Sequence, residues 1–384
     1  MPIHLRFFAL LFLSLLPSGG FAEPIPFNLP IPGPPSVGAK AYVLMDYASG
    51  QYIAARNENQ RVDPASLTKL MTAYVVFNEL KRGTLKLRES IRVNPQTSWQ
   101  TEGSSMFIQP DLPVTVEELL QGMIIVSGND ASIALAERVA GSEAAFSDYM
   151  NAYAKQLGMR STHFINATGL PDPNHYTTAR DLSLLARAII RDFPHYFRWY
   201  SQKKYTYNNI TQQNRNLLLY WDPSVDGMKT GFTDTAQYCL VSTAKRGNMR
   251  LVSVLLGASD PVARAQQSQS LLNYGFRFYE SRKLYSAGQA LGSLRVWKGK
   301  PGEVKVGAAQ DIYAVVASGR AKLVRASLKL KPNPLPPIKK GAVLGEIVIK
   351  QEDKVLAKVP AVALAAVEEA GFFTRVIDAI RMRF

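Results

Sequence analysis

A chain of 384 residues exceeds one average domain, and a composition of 47% hydrophobic and 20% charged residues excludes wholesale disorder. No apolar run approaches the roughly 18–20 residues of a bilayer span, which excludes a polytopic membrane protein. The formal net charge is +15, and 19 Lys and Arg against 9 Asp and Glu between Tyr279 and Phe384 place most of the excess in the C-terminal part.

At the N-terminus, Arg6 is followed by the apolar stretch Phe7–Leu16 and the small-residue exit Pro17-Ser-Gly-Gly-Phe-Ala22. That order reads as a secretory signal peptide over residues 1–22, cut after Ala22. Export argues against nucleic acid as partner of the basic C-terminal part and leaves an anionic membrane or wall. Residues 23–37 hold six prolines and read as an extended tether. Ala39–Ile53 predicts two strands around the turn Tyr47-Ala-Ser-Gly50. A helix is expected to open at Pro64-Ala65-Ser66, with apolar residues at Leu67, Leu70, Met71, Tyr74, Val75 and Leu80. Val116–Val139 reads as helical, interrupted by Ser127-Gly-Asn129, and Ala144–Leu157 and Ala179–Ile190 predict two further helices. Tyr238–Ala244 and Leu251–Leu256, joined by Lys245-Arg-Gly-Asn248, predict a hairpin. Strands at both ends with helices between imply an α+β domain over 38–278, one antiparallel sheet covered by helices.

From Tyr279 the pattern changes to short strands: Gly292–Trp297, Ile312–Val316, Leu323–Leu330, Val343–Ile349 and Val355–Val359. They predict a small all-β domain over 279–364, with Lys331–Pro337 as a loop inside it. The remainder, 365–384, is expected to be an amphipathic helix from about Glu368. At ~100° per residue, Phe373, Val376, Ile377, Ile380 and Phe384 share an arc of about 100°, opposite Thr374, Arg375 and Asp378. Such a helix is too short to span and would lie in a membrane interface, with Arg375, Arg381 and Arg383 toward anionic headgroups. The alternative is that its apolar face packs on the β domain.

The chemistry lies in three short motifs. Ser-x-x-Lys occurs at Ser66/Lys69, Ser201/Lys204 and Ser242/Lys245, too often to be diagnostic alone. Ser127-Gly-Asn129 and Lys229-Thr-Gly231 each occur once, 61 residues after Ser66 and 102 further on, and only Ser66 precedes both. The four histidines fit no metal-ligand spacing, so neither metal nor cofactor is expected. Cys239, the single cysteine, lies in an apolar run and reads as a small buried hydrophobe. Asn166-Ala-Thr168 matches a glycosylation pattern but reads as a turn.

With these motifs, and with Gly103-Ser-Ser-Met-Phe107, Tyr176-Thr-Thr-Ala-Arg-Asp181 and Val225-Asp-Gly-Met-Lys-Thr-Gly231, the chain resembles the serine D-alanyl-D-alanine carboxypeptidases among the low-molecular-mass penicillin-binding proteins. The resemblance spans nearly the whole mature chain. It implies removal of the terminal D-alanine of peptidoglycan stem peptides through an acyl-serine, inhibition by β-lactams, and residence on the periplasmic side of the bacterial inner membrane. Ser66 would be the nucleophile at a helix N-terminus and Lys69, one turn on, its base. Ser127 would pass a proton to the leaving amine, and Asn129 would offer a donor and an acceptor to a substrate peptide group. Lys229 and Thr230 would face the terminal carboxylate, while Gly231 would admit substrate to the strand edge. Phe232, where relatives often carry His, would supply a backbone N–H to the oxyanion. Arg264, by local alignment, would help hold the carboxylate, and Arg215 is a more distant candidate. The rivals are a DD-endopeptidase, a β-lactamase (for which no Glu-x-x-Leu-Asn element precedes the Lys-Thr-Gly strand) and a non-catalytic wall-binding scaffold.

Overall fold

The computed structural model describes residues 31–99, 101–110, 112–320 and 323–382. The expected signal peptide, residues 1–22, and the tether up to Pro30 lie outside the described residues; residues 31–37 carry no regular secondary structure.

The N-terminal half is built on strands β1 (Ala41–Asp46), β2 (Tyr52–Arg56), β3 (Val225–Gly231), β4 (Tyr238–Arg246) and β5 (Met249–Ala258). They form one antiparallel sheet in the order β2-β1-β5-β4-β3, which leaves the Lys229-Thr-Gly231 strand on an edge. Hairpins β1–β2 and β4–β5 follow the alternation in the sequence, and Gly50 and Gly247 adopt the positive φ their turns require. Helices α1 (Lys69–Arg82), α2 (Asn129–Ala140), α3 (Glu143–Leu157) and α4 (Ala179–Asp192) share one core with Val43, Met45, Val252 and Val254 from one face of the sheet. The opposite face is covered by α5 (Pro261–Phe278), whose Gly275 lets the helix lie against Leu44 and Leu251.

Two expectations change in this half, and one helix is unforeseen. Ser66 sits in a 3₁₀ turn, Ala65–Thr68, and the α-helix starts only at Lys69. Helix Val116–Val139 breaks differently from its sequence pattern: α over Val116–Gln121, π over Gly122–Val126, then α2 after Ser127 at φ +67°. Helix α5 had no apolar periodicity to reveal it, although Asp260 caps it by accepting from Ala263 N at 2.7 Å and Pro261 opens it.

Helix α5 runs without a linker into the strand Tyr279–Tyr285, which pairs with Ile312–Ala317. A second antiparallel sheet of five strands follows, Ala290–Arg295, Glu303–Ala308, Lys354–Ala363, Val343–Gln351 and Val324–Leu330 in spatial order. Its core is Val304, Val306, Ile347, Ile349 and Ala361. Residues 331–337 form a loop, as expected. The tail helix is shorter than expected, Phe372–Arg381, because Val367 bridges Ile338 and Glu368–Glu369 pair with Gly299–Lys300. Its orientation is inverted relative to packing on the β domain. Asp378 is buried and accepts from Lys298 N at 2.7 Å, while Phe373 is 82% exposed and Val376, Ile377 and Ile380 are also exposed.

Two side chains bolt the halves together. Gln51, at the β1–β2 turn, donates to Leu356 O at 2.7 Å and accepts from Val315 N at 2.8 Å. The Asp46 carboxylate accepts from Ser49 N, Ser49 Oγ and, across the junction, Ser281 Oγ at 3.1 Å; its burial pushes the carboxyl above the usual range. At about 1 kcal/mol per hydrogen bond, Gln51→Ala is expected to destabilise by about 1–3 kcal/mol in urea unfolding and to speed hydrogen exchange at the Val315 amide. Unchanged exchange at Val315 would place the junction elsewhere.

Candidate active site

The Ser66 turn is built under constraint. Ala65, directly before Ser66, is held at φ +47°, a region that side-chain-bearing residues seldom occupy. Neighbouring backbone explains how it is kept there. A side chain on Gly169 would fall 1.9 Å from the Ala65 carbonyl oxygen, and one on Gly231 would lie 3.2 Å from Ala65 Cβ. The two glycines press the turn from two sides, which only hydrogen permits. Thr68 closes it below: its hydroxyl meets His175 Nε2 at 2.8 Å, and His175 Nδ1 accepts from Ile165 N at 3.1 Å. The proton is therefore assigned to Nε2, and burial keeps this imidazole neutral down to about pH 4.

Lys69 points from the first turn of α1 into the protein and is 1% exposed. Its Nζ lies 3.1 Å from Ser66 Oγ, 2.6 Å from Asn129 Oδ1 and 2.5 Å from Thr168 O. Asn129 Oδ1 and Thr168 O are acceptors only, so they occupy two N–H bonds of a neutral amine and turn its lone pair toward the Ser66 hydroxyl. Burial brings the ammonium down to about 7, with Arg215 pushing the same way and Asp130 and Glu143 opposing. The same carbonyl is fixed by its turn, as Asn166 Oδ1 accepts from Thr168 N and Gly169 N, and Glu143 accepts from Ala167 N at 2.7 Å. The 166–168 triplet is the turn expected of it.

Ser127 leaves the π segment in a left-handed conformation and is 3% exposed, and its hydroxyl has no partner among the described residues. No hydrogen bond joins it to Lys69 or Lys229. Asn129 commits its amide inward: Oδ1 accepts from Lys69 and Nδ2 donates to Glu102 O at 2.6 Å. Its first task is to position Lys69, and one Nδ2 hydrogen remains for a ligand. Asp130, which the sequence motifs do not single out, is fully buried and accepts from Ser105 Oγ, Met106 N and Ile108 N, pinning the 103–108 segment beside the site.

The far wall comes from the edge strand. Lys229 is buried, and among the described residues its Nζ donates only to Thr230 O, at 3.2 Å. Burial, then Lys69, Arg215 and Arg264, hold its ammonium well below the ordinary lysine range. Gly231 faces the Ser66 turn, where its missing side chain permits that close contact, and it also lines the cleft. Phe232 packs on Tyr238 with ring centroids 4.4 Å apart and planes tilted by 33°, and the Arg264 guanidinium carbon lies over the Tyr238 ring, 5.7 Å from its centroid. Arg264 is buried, with its guanidinium lowered to about 10 by that burial and one N–H on Arg215 O. Arg215 donates to Ser104 Oγ at 2.6 Å. A cavity of about 710 Å³ is lined by Ser66, Ser127, Thr230, Phe232, Arg215 and Arg264, so residues from five separate segments converge on one cleft. Lys69, Asn129 and Lys229 stand behind its surface.

The sequence profile described as D-alanyl-D-alanine carboxypeptidase matches residues 30–260, and that of the penicillin-binding protein 5 C-terminal domain matches 279–369. The chain is 44% identical to D-alanyl-D-alanine carboxypeptidase DacC of Escherichia coli over 359 residues, 91% of this chain and 89% of that one. It is 39% identical to DacA of the same organism over 376 residues, 96% and 93% of the two chains. Among solved structures it is similar to penicillin binding protein 5 from Haemophilus influenzae, with TM-score 0.82 and 40% identity over 88% of this chain and 99% of that one. It is also similar to the ampicillin-bound penicillin-binding protein D2 from Listeria monocytogenes, with TM-score 0.58 and 31% identity over 62% and 98%.

With Lys69 lowered to about 7, the neutral amine grows as pH rises through that value. Labelling of Ser66 by a serine-directed acylating reagent should therefore climb through a midpoint near 7 and level off above it. Lys69→Arg, charged at any working pH, should remove that limb and slow labelling roughly 100- to 10,000-fold. A flat wild-type profile would take the role of base away from Lys69.

Proposed function

The chain belongs to the D-alanyl-D-alanine carboxypeptidase family of serine hydrolases, and from that premise we propose how its own residues remove the terminal D-alanine of a peptidoglycan stem peptide. The observation that carries the reading is the Lys69 amine, 3.1 Å from Ser66 Oγ, with acceptors in Asn129 Oδ1 and Thr168 O for both hydrogens of its neutral form. Neutral Lys69 takes the Ser66 proton as Oγ attacks the carbonyl of the penultimate D-alanine. The negative charge that forms on that oxygen is met by backbone N–H groups of Ser66 and Phe232. As the C–N bond breaks, the departing amine needs a proton, and the partnerless Ser127 hydroxyl is the group on the cleft wall able to relay one from Lys69. Water then attacks the acyl-serine by the reverse proton traffic, and the shortened stem leaves.

The substrate carboxylate is read by the cationic wall. Arg264 offers a preformed fork held by Tyr238, and Lys229, kept low by burial and by its cationic neighbours, becomes a full ammonium when a carboxylate arrives. β-Lactams carry a strained amide and a carboxylate in the same relation and load the same hydroxyl.

The remaining proposals concern place. The signal peptide would export the enzyme, and the tail would hold it on the outer face of the inner membrane. The outward apolar arc of the Phe372–Arg381 helix supports surface anchoring over packing on the β domain. No helix among the described residues is long and apolar enough to cross a membrane.

Two measurements test this reading. Intact-mass spectrometry after penicillin treatment should show one adduct, on the peptide holding Ser66, and a D-Ala–D-Ala pentapeptide should release D-alanine; Ser66→Ala should abolish both. Deleting residues 372–384 should leave acylation unchanged and abolish co-sedimentation with anionic phospholipid vesicles. Equal sedimentation of the two forms would reject the anchor.

A further inference from the structure

Asp63 is absent from every motif considered above, yet it touches both halves of the cleft. Its Oδ1 accepts from Ala65 N at 2.8 Å, closing an Asx-turn over Pro64 at the strained residue that precedes Ser66. Its Oδ2 accepts from Thr233 Oγ1 at 2.9 Å and Thr235 Oγ1 at 2.6 Å, both in the loop that leaves the Lys-Thr-Gly strand through Phe232. Asp63 is itself fixed, because Val62 and Thr177 exchange backbone hydrogen bonds at 2.9 Å on its N-terminal side. The loop side is equally tied: Thr233 Oγ1 accepts from Ala236 N at 3.0 Å and Thr233 O accepts from Gln237 N at 2.8 Å.

One carboxylate thus spans the two segments whose N–H groups the mechanism assigns to the oxyanion. The segments belong to opposite ends of the chain's first domain, and van der Waals contact at Gly231 alone would let them slide. A two-donor pocket works only if both hydrogens reach the same oxygen, 2.7–3.1 Å away. We propose that Asp63 is a positioning residue that sets the spacing of the oxyanion site, by clasping the Ser66 turn to the Phe232 loop. This rests on Ser66 and Phe232 acting as stated under Proposed function. Asp63 touches no reacting atom and donates no proton; it acts through the two backbones it joins.

The prediction is specific to steps in which the oxyanion forms. Asp63→Ala should lower the benzylpenicillin acylation rate constant about 10- to 100-fold, short of the ~100- to 1,000-fold for losing a donor outright. Deacylation should slow as well, since the same pocket serves both steps. The noncovalent dissociation constant, resolved in the same stopped-flow series, should change less than threefold. Asp63→Asn can still accept from Ala65 N and can donate to a threonine hydroxyl, so it should recover most of the rate. Thr233→Val with Thr235→Val severs the loop side, together with the Ala236 N bond to Thr233 Oγ1, and keeps the Asx-turn. The pair should therefore reproduce the loss in a chain whose thermal midpoint matches wild type, and Thr235→Val alone, which spares the Ala236 N bond, should give part of it. If Asp63→Ala fails to fold, the paired threonine variant carries the test alone. Wild-type acylation by the threonine pair, or a loss that falls on the dissociation constant instead, would overturn the clasp. A wild-type enzyme that takes no adduct at Ser66 would instead overturn the function on which it rests.

Discussion

Everything at this site follows from placing a lysine ammonium where water cannot reach it. A charge buried at 1% exposure is tolerable only with full hydrogen bonding, and Lys69 has three partners for three hydrogens. Burial moves the group toward neutrality at about pH 7, and the same three partners make the neutral form directional. The stabilising shell and the reactive geometry are one arrangement. Asn129, the 166–169 turn and the 3₁₀ turn at Ser66 all exist in their observed form because each delivers one acceptor to a single nitrogen.

The second constraint is steric. Ala65 at positive φ is a conformation worth roughly 1–3 kcal/mol of strain, held by Gly169, Gly231 and the Asp63 carboxylate. These contacts link α1, the loop after α3 and the edge strand of the sheet. Two buried lysines behind one cleft add electrostatic strain, because burial and then the charge of Lys69 hold the Lys229 ammonium low, which favours an anionic guest. The fold's large core, continuous from the sheet through α1–α4, supplies the rigidity that keeps such a site from relaxing.

Much of this was legible in the sequence where the signal is local. The hairpins followed from alternation and glycine turns, and the three triplets that meet at one cleft from residue type and order. Reading failed where the deciding partner is backbone or distant. The Thr168 carbonyl bears no residue signature, and Asp63 and Asp130 look like ordinary loop acids until their donors are assembled around them. The π segment Gly122–Val126 has the same apolar run that an α-helix would show, and helix α5 carries polar residues such as Gln266, Gln267 and Gln269 through its middle, which masks its period. The tail's apolar arc was readable, but Asp378 as the point that fixes its orientation was not, because that depends on the Lys298 amide eighty residues earlier.

The uninterrupted passage from α5 into the strand at Tyr279, with Gln51 and Asp46 bolted across it, gives the two halves a common frame. In mechanical terms the β domain is a strut rather than a leash. A molecule gripped at its tail would sweep its cleft through a thin shell at one altitude, and substrate density at that altitude, rather than in the surrounding volume, would govern turnover. Lengthening the strut would move the shell without touching a single reacting atom.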